Sequence, residues 1–199
     1  MSSHPPPLLI VEDDPALCAY LAAALGAQGY AVQKAHDRTS ALSVFATPDA
    51  PEIVLLDLGL PPQASTMAEG LQLLDELLQL APATKIIVLT GQDEQAAAHE
   101  AIRHGAFDFL VKPVALAAIM QAITRAALFV REEGRMASAG EARLNLFARL
   151  HEGPVEAAAA AEEQLIRRVL AETGWNIAEA ARRLGVAREN VYYYLNKYG

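Results

Sequence analysis

The chain has 199 residues, of which 53% are apolar and 20% are charged. This composition supplies a hydrophobic core and excludes a disordered chain, so we expect one large domain or two small ones. The net charge of −8 argues, as an average, against a nucleic-acid partner. However, residues 1–130 hold 6 basic and 14 acidic side chains, and residues 131–199 hold 10 of each. Residues 167–199 hold 6 basic and 3 acidic groups, so the chain becomes mildly basic towards its end.

The front 130 residues alternate short strand-like runs, rich in leucine and β-branched residues, with longer helical patterns. The runs are Leu8–Val11, Tyr30–Lys34, Ile53–Leu56, Lys85–Leu89 and Phe107–Val111. The helical patterns are Pro15–Gly26, Arg38–Ala46, Glu69–Leu80, Asp93–His104 and Val114–Arg131. Strict alternation predicts right-handed crossovers and an α/β fold with a doubly wound, five-stranded parallel sheet.

After Arg131 the pattern changes. Residues 131–140 indicate a frayed helix end or linker, and 141–150 form a short amphipathic piece. An alanine-rich helix is predicted from Glu156 to Glu172, followed by two shorter helices separated by Gly185. We therefore predict a first domain over 1–130, a partly helical linker over 131–155 and a small all-α domain over 156–199.

The chain holds one cysteine, which excludes an internal disulfide, and its histidines are not clustered as in a zinc site. The first residues lack the features of a signal peptide, and no apolar stretch approaches the ~20 residues that span a bilayer. We expect a cytoplasmic protein without a membrane partner.

Carboxylates follow two of the predicted strands. Glu12 and Asp13 follow the first strand, and Asp57 follows the third. If these strands are neighbours, the carboxylates converge at one edge of the sheet, where their repulsion favours a bound cation. Carboxylate ligands without His or Cys select a hard ion, and Mg²⁺ is the usual one.

Two further polar residues follow strands of the same predicted sheet. Thr90 ends the fourth strand and Lys112 follows the fifth. Together with the carboxylates they make a site for a phosphoryl group on Asp57, with metal and lysine neutralising its charge. The alternative for any one of these residues is a solvated loop position or a helix cap, which is our interpretation of Asp14.

The strand-end motifs together resemble the receiver domain of two-component response regulators, over about residues 7–130. The resemblance implies a flavodoxin-like fold and phosphorylation of Asp57 by a sensor histidine kinase. It implies that Asp13, Asp57 and the Gly59 carbonyl ligate Mg²⁺, with Glu12 acting through water. It also implies phosphoryl contacts from Thr90 and Lys112, an aromatic switch at Phe109, and a cis Lys112–Pro113 bond. The alternative for Phe109 is an ordinary core side chain.

The chain departs from typical receivers after the phosphoacceptor. Gly70 lies thirteen residues after Asp57, an insertion of about five residues. The extra stretch over residues 62–67 is small and polar, and we expect it to lengthen a surface loop and to alter kinase contact or phosphoryl access.

A helix-turn-helix is predicted at the end of the chain. Asn176 and Glu179 have the spacing of a capping box, and Gly185 supplies the turn between two short helices. Helical phase places Glu189, Tyr192, Tyr193 and Asn196 towards a DNA major groove. The cationic residues predicted to hold phosphates are Arg182, Arg183, Arg188 and Lys197. The alternative is a dimerisation module with solvated arginines.

Residues 157–199 resemble the Fis-type DNA-binding domain of nitrogen-regulator-like activators, which favours DNA binding. The recognition helix departs from that family, with Ala187 in place of a serine cap and with Tyr193 and Tyr194 in place of basic residues. About 25 residues separate the two modules, and they hold no phosphate loop of an ATPase.

The sequence therefore predicts a response regulator in which phosphorylation of Asp57 controls homodimerisation and DNA binding. One alternative is a receiver whose tail dimerises and binds protein, acting as an adaptor or phosphate sink. A separate enzymatic activity has weak support, because the only visible chemistry is self-phosphorylation and hydrolysis at Asp57.

Overall fold

The computed structural model describes residues 5–47, 49–62, 64, 66–91, 94–144 and 153–198, without the side chains of 94–96. The chain divides into two compact units. The first comprises residues 1–78 and 83–132, and the second comprises residues 79–82 and 133–199.

The first unit contains a parallel sheet in the order β2-β1-β3-β4-β5. Its strands are β1 (Leu8–Val11), β2 (Val32–Ala35), β3 (Ile53–Asp57), β4 (Lys85–Thr90) and β5 (Asp108–Val111). The apolar runs of β1, β3 and β4 are buried on both faces, as expected for a sheet covered by helices on each side.

Helices cover both faces of this sheet. They are α1 (Pro15–Gly26), α2 (Arg38–Phe45), α3 (Ala68–Leu80), α4 (Glu94–Arg103) and α5 (Leu116–Ser138). Alternate residues of the strands pack with α1 and α5 on one face and with α2, α3 and α4 on the other. The predicted doubly wound α/β fold is confirmed.

The second unit contains α6 (Pro154–Glu172), α7 (Ile177–Leu184) and α8 (Arg188–Tyr198). Its core consists of apolar side chains from all three helices, among them Ile166, Leu170, Ala180 and Val191. The predicted all-α arrangement is thus present.

Most element boundaries differ from the sequence prediction by one or two residues, and the end of α5 differs by more. β2 begins at Val32 rather than Tyr30, and α5 continues to Ser138 rather than ending near Arg131. The extension of α5 brings Glu133 into contact with Arg143 and Arg168, so tertiary ion pairs support residues without a sustained apolar face. Residues 141–144 form no regular element, and 145–150 of the predicted amphipathic piece lie outside the described residues.

The residues that lengthen the segment after Asp57 lie in the loop that precedes α3. A Cβ on Gly70 would lie 2.4 Å from the Leu58 Cα and 2.7 Å from its carbonyl oxygen. Only glycine lets α3 approach the backbone after β3 this closely, so the added residues lie in the loop between Gly59 and α3. Within this loop the Ala64 carbonyl oxygen lies close to Gly59, since a Cβ on Gly59 would lie 3.1 Å from it.

Candidate functional site

Three carboxylates meet at the carboxyl end of the sheet in the first unit. β1 and β3 pair in parallel with Val11 opposite Leu56, so the residues that follow them lie side by side. Carboxylate oxygens of Glu12, Asp13 and Asp57 all lie within 4.8 Å of one another. Glu12 and Asp57 are buried, whereas Asp13 is more accessible to solvent. The predicted convergence of these residues is confirmed.

A lysine at the end of β5 contacts two of these carboxylates. The Lys112 Nζ lies 2.8 Å from the Glu12 Oε2 and 2.8 Å from the Asp57 Oδ2. The Lys112–Pro113 bond is cis, as predicted. The ammonium therefore lies where a charge on Asp57 would be neutralised.

Burial and charge shift the acidity of this cluster. Burial raises the pKa of Glu12, the hydrogen bond from Lys112 opposes this rise, and the Asp57 charge adds to it. Burial alone would lower the pKa of Lys112, but its hydrogen bonds to Asp57 and Glu12 outweigh burial and raise this pKa. The lysine is thus held as an ammonium beside two carboxylates.

This cluster carries an excess of negative charge that a bound cation would neutralise. Three carboxylates face the one ammonium that the described residues place among them. Oxygen donors that crowd at this distance suit a hard divalent ion. Glu12, Asp13 and Asp57 thus form an acidic cluster that is compatible with binding of a divalent cation.

The remaining predicted receiver residues lie on β4, on β5 and just after β3. Thr90 ends β4 one residue beyond the partner of Asp57 and is buried. The Gly59 N–H donates to the Asp57 Oδ1 at 3.1 Å. Phe109 lies half-buried on β5 and packs with the core on the α3 and α4 side. This position agrees with both the switch and the core interpretation of Phe109.

The second unit forms the predicted helix-turn-helix. The Asn176 Oδ1 accepts a hydrogen bond from the Glu179 N–H at 3.1 Å, which caps α7. Gly185 ends α7 with φ +67°, which is the left-handed conformation that glycine favours. The capping-box prediction was half right, because the Glu179 carboxylate pairs instead with Arg182 and Arg183.

The residues predicted to contact DNA share one property. They are all exposed: Arg182, Arg183, Arg188, Glu189, Tyr192, Tyr193, Asn196 and Lys197. Val191, on the opposite side of α8, is fully buried. The predicted phase of α8 is therefore confirmed.

Sequence reasoning missed the carboxylates that pair with these cations. Arg182 and Arg183 pair with Glu179, and Lys197 lies 2.7 Å from the Glu162 Oε2. The pairing with Glu179 was readable in advance, since carboxylate and arginines are spaced i, i+3 and i, i+4 on one helix. The pairing with Glu162 joins α8 to α6, and local spacing gives no signal for it.

Gln92, which follows Thr90 by two residues, lies outside the described residues. A search of the described residues for a helix long and apolar enough to cross a bilayer found none.

Two family models match the chain. The response regulator receiver domain matches residues 8–124. The Fis family of bacterial regulatory proteins matches residues 157–198.

Among curated relatives, the transcriptional regulatory protein GlrR of Escherichia coli K12 is 34% identical over 123 residues. That match covers 62% of this chain and 26% of GlrR, so the chain spans only about a quarter of this relative.

Solved structures agree with this comparison. NtrX from Brucella abortus superposes with a TM-score of 0.61 at 27% identity, over 68% of this chain and 29% of NtrX. A response regulator from Burkholderia pseudomallei, solved with a phosphorylated aspartic acid, calcium ion and citrate, gives a TM-score of 0.53 at 29% identity. It covers 92% of this chain, which in turn covers 94% of it.

Proposed function

The chain belongs to the response regulator receiver family, and we propose that it is a transcription regulator whose DNA binding is controlled by phosphorylation of Asp57. The observation that carries this proposal is the Lys112 ammonium, 2.8 Å from both Glu12 and Asp57, at the edge of the sheet where the strand ends meet. We take residues 1–130 as the receiver, 131–155 as the linker and 156–199 as the DNA-binding domain.

The chemistry proposed for Asp57 is phosphoryl transfer. A carboxylate oxygen of Asp57 attacks the phosphorus of a phosphohistidine on a sensor kinase, the P–N bond breaks, and an acyl phosphate forms. Lys112 neutralises charge on the transferred group, and the Thr90 hydroxyl donates to a phosphoryl oxygen. Hydrolysis of the acyl phosphate returns Asp57 to a free carboxylate.

We propose Mg²⁺ as the cofactor of this step. Asp13, Asp57 and the Gly59 carbonyl would hold the ion, with Glu12 acting through water. When bound, Mg²⁺ neutralises part of the phosphoryl charge. The Burkholderia pseudomallei response regulator, solved with a phosphorylated aspartic acid and calcium ion, supports a divalent cation in this role.

Phosphorylation must favour one receiver conformation in order to act on DNA binding. We propose that the Thr90 hydroxyl moves towards the phosphoryl group and that Phe109 follows it inward. Phe109 is half-buried against the core on the α3 and α4 side, so an inward movement would bury more of its ring. A gain in burial that accompanies phosphorylation would bias the receiver towards one conformation.

The second domain is proposed to place α8 in a DNA major groove. Glu189, Tyr192, Tyr193 and Asn196 would face base edges, and the cations Arg182, Arg183, Arg188 and Lys197 would contact phosphates. Tyrosine hydroxyls can bond phosphates, and tyrosine rings can pack on thymine methyl groups. The partners are thus a sensor histidine kinase, DNA and a second copy of the chain, in the cytoplasm. A homodimer is proposed because such modules read near-palindromic half-sites.

The alternative function is an adaptor or phosphate sink whose tail binds protein rather than DNA. The exposed tyrosines of α8 favour it, because Tyr192 and Tyr193 stand 56% and 60% exposed, and tyrosine is enriched at protein interfaces.

A titration against genomic DNA fragments at two salt concentrations separates the two functions. We expect a subset of fragments to be bound selectively, with affinity that falls as salt rises. Absence of any selected fragment in both phosphorylation states would reject the transcription proposal and favour the adaptor. An Arg188→Gln variant tests the phosphate contacts in the same titration. Loss of one phosphate contact should weaken binding to all fragments alike.

A further inference from the structure

The exposed arginines of α7 are bound to a carboxylate of their own helix. The Arg182 guanidinium makes a two-pronged contact with Glu179, with Nε 2.9 Å from Oε2 and Nη2 2.6 Å from Oε1. The Arg183 Nε lies 3.2 Å from the same Oε1. One carboxylate thus accepts hydrogen bonds from two guanidinium groups.

A second carboxylate continues this arrangement. The Arg183 Nη1 lies 3.5 Å from the Glu172 Oε2 on α6. The Arg182 hydrogen bond first, and the Arg183 hydrogen bond second, lower the pKa of Glu179, so this group stays ionised at neutral pH. The arginines remain accessible, since the Arg182 side chain is 76% exposed and that of Arg183 is 46% exposed.

The geometry of Glu179 is that of a bound phosphate oxyanion. A guanidinium fork binds carboxylate and phosphate through the same pair of parallel N–H bonds. A DNA phosphate that reached Arg182 would therefore have to replace Glu179. Glu179 would then be left as an ionised carboxylate beside DNA and would recruit a cation from solution.

We propose that Glu179 is an internal competitor of DNA phosphate, which lowers the affinity of this domain for DNA of any sequence and makes that affinity less dependent on salt. This inference rests on the proposed DNA-binding function and concerns the regulation of that same surface. The competition acts on phosphate contacts, which carry no sequence information, and leaves the base-facing residues of α8 unaffected. Weaker phosphate contacts lower the affinity for unrelated and for specific sequences by about the same factor.

Glu179→Gln tests the proposal, with Glu163→Gln as the matched control. Glu163 pairs with Arg167 on α6 at 2.8 Å, so the control removes the same charge and a similar ion pair away from Arg182 and Arg183. Glutamine keeps the N–H of residue 179 that Asn176 caps. Each variant is titrated with a duplex of unrelated sequence and with a selected fragment, over a series of salt concentrations.

Glu179→Gln should bind the unrelated duplex about three- to tenfold more tightly at low salt, as expected for release of two exposed ion pairs. The slope of log affinity against log salt should steepen by about 1 to 2, since cation uptake by Glu179 no longer offsets counterion release. The selected fragment should gain affinity by the same factor, so that the ratio of specific to unrelated affinity stays the same. Glu163→Gln should change neither the affinity nor the slope.

The arginines must be required for these changes. In an Arg182→Gln, Arg183→Gln background, Glu179→Gln should have no effect on affinity. Persistence of the gain there would overturn the proposal, because simple repulsion between Glu179 and DNA would then be the cause. An unchanged slope in Glu179→Gln, or an equal change in Glu163→Gln, would also overturn it. If neither the wild type nor any variant binds any duplex, the proposed function itself fails. If the wild type binds and Glu179→Gln has the same affinity and the same salt dependence, only this inference is rejected.

Discussion

The two compact units hold their charged groups in opposite ways. In the receiver, Glu12 and Asp57 are buried and share the Lys112 ammonium at 2.8 Å. In the helix-turn-helix, Arg182 and Arg183 are exposed and share the Glu179 carboxylate. The first arrangement has two anions around one cation, and the second has two cations around one anion.

This difference matches the two functions proposed for these units. Buried charges act strongly and at fixed positions, as transfer of a phosphoryl group requires. Exposed ion pairs are weak, exchange readily and are screened by salt, as reversible contact with DNA requires.

The receiver chemistry should depend on one carboxylate. Asp57→Asn should abolish phosphoryl uptake from a small-molecule phosphodonor, since an amide is not a nucleophile for this reaction. Mass spectrometry of the intact chain measures the uptake. The matched control is Asp14→Asn, because Asp14 is exposed and caps α1 through the Ala16 and Leu17 N–H groups, and asparagine caps equally well. Uptake by the Asp57 variant equal to that of the control would mean that another carboxylate is phosphorylated.

Close packing beside Asp57 should contribute more to the free energy of unfolding than any surface charge does. Gly70→Ala should lower the free energy of unfolding by about 3 kcal/mol, because its Cβ would lie 2.4 Å from the backbone of Leu58. Denaturant unfolding at low and high salt measures this loss, which is steric and should not change with salt. Gly26→Ala is the control, since no heavy atom lies within 4 Å of the added Cβ. A Gly70→Ala variant as stable as wild type would show that α3 can shift freely.

A charged helix cap in the receiver should make a pH-dependent contribution to the free energy of unfolding. Asp37 caps α2, and hydrogen bonding from the Ser40 N–H, together with the Ser40 hydroxyl, lowers its pKa below the ordinary 3.8. Its stabilisation is therefore present above that pH and is lost as the pH falls through the folded-state pKa. Asp37→Ala should cost about 1 kcal/mol at neutral pH. The difference from wild type should shrink in acid, and a difference that stays constant down to low pH would contradict this assignment.

The equivalent cap in the second unit is neutral. Asn176→Ala removes the acceptor for the Glu179 N–H and should also cost about 1 kcal/mol. Because an amide does not titrate, this loss should be the same in neutral and mildly acidic solution. Unfolding of the variant at two pH values measures it, and a loss that vanished in acid would point to an effect through the neighbouring Glu179 instead.

The sheet and its site were predictable because their signals are local and their geometry is general. Apolar runs mark buried strands, and the carboxyl ends of parallel strands converge, so Glu12, Asp57 and Lys112 were placed together in advance. The length of α5 was not predictable, since residues near Glu133 have no apolar periodicity and their support comes from Arg143 and Arg168. Long-range ion pairs leave no trace in sequence spacing.

For the second unit, net charge alone was a misleading guide to how its cations are placed. The excess of basic residues over 167–199 suggests cations open to DNA. The structure shows that Arg182, Arg183 and Lys197 each contact a carboxylate. Net charge therefore overstated the phosphate attraction, although the helical spacing of Glu179 already indicated the pairing on α7.

The most direct test of phosphorylation-controlled DNA binding is the affinity for one selected DNA fragment with and without phosphorylation. Phosphorylation of the full chain should change this affinity roughly 5- to 150-fold, the usual range of coupling between two sites. The Asp57→Asn variant should show one affinity under both conditions. Equal affinities of the phosphorylated and unphosphorylated wild-type chain, with phosphorylation verified by mass, would contradict the proposed control of DNA binding.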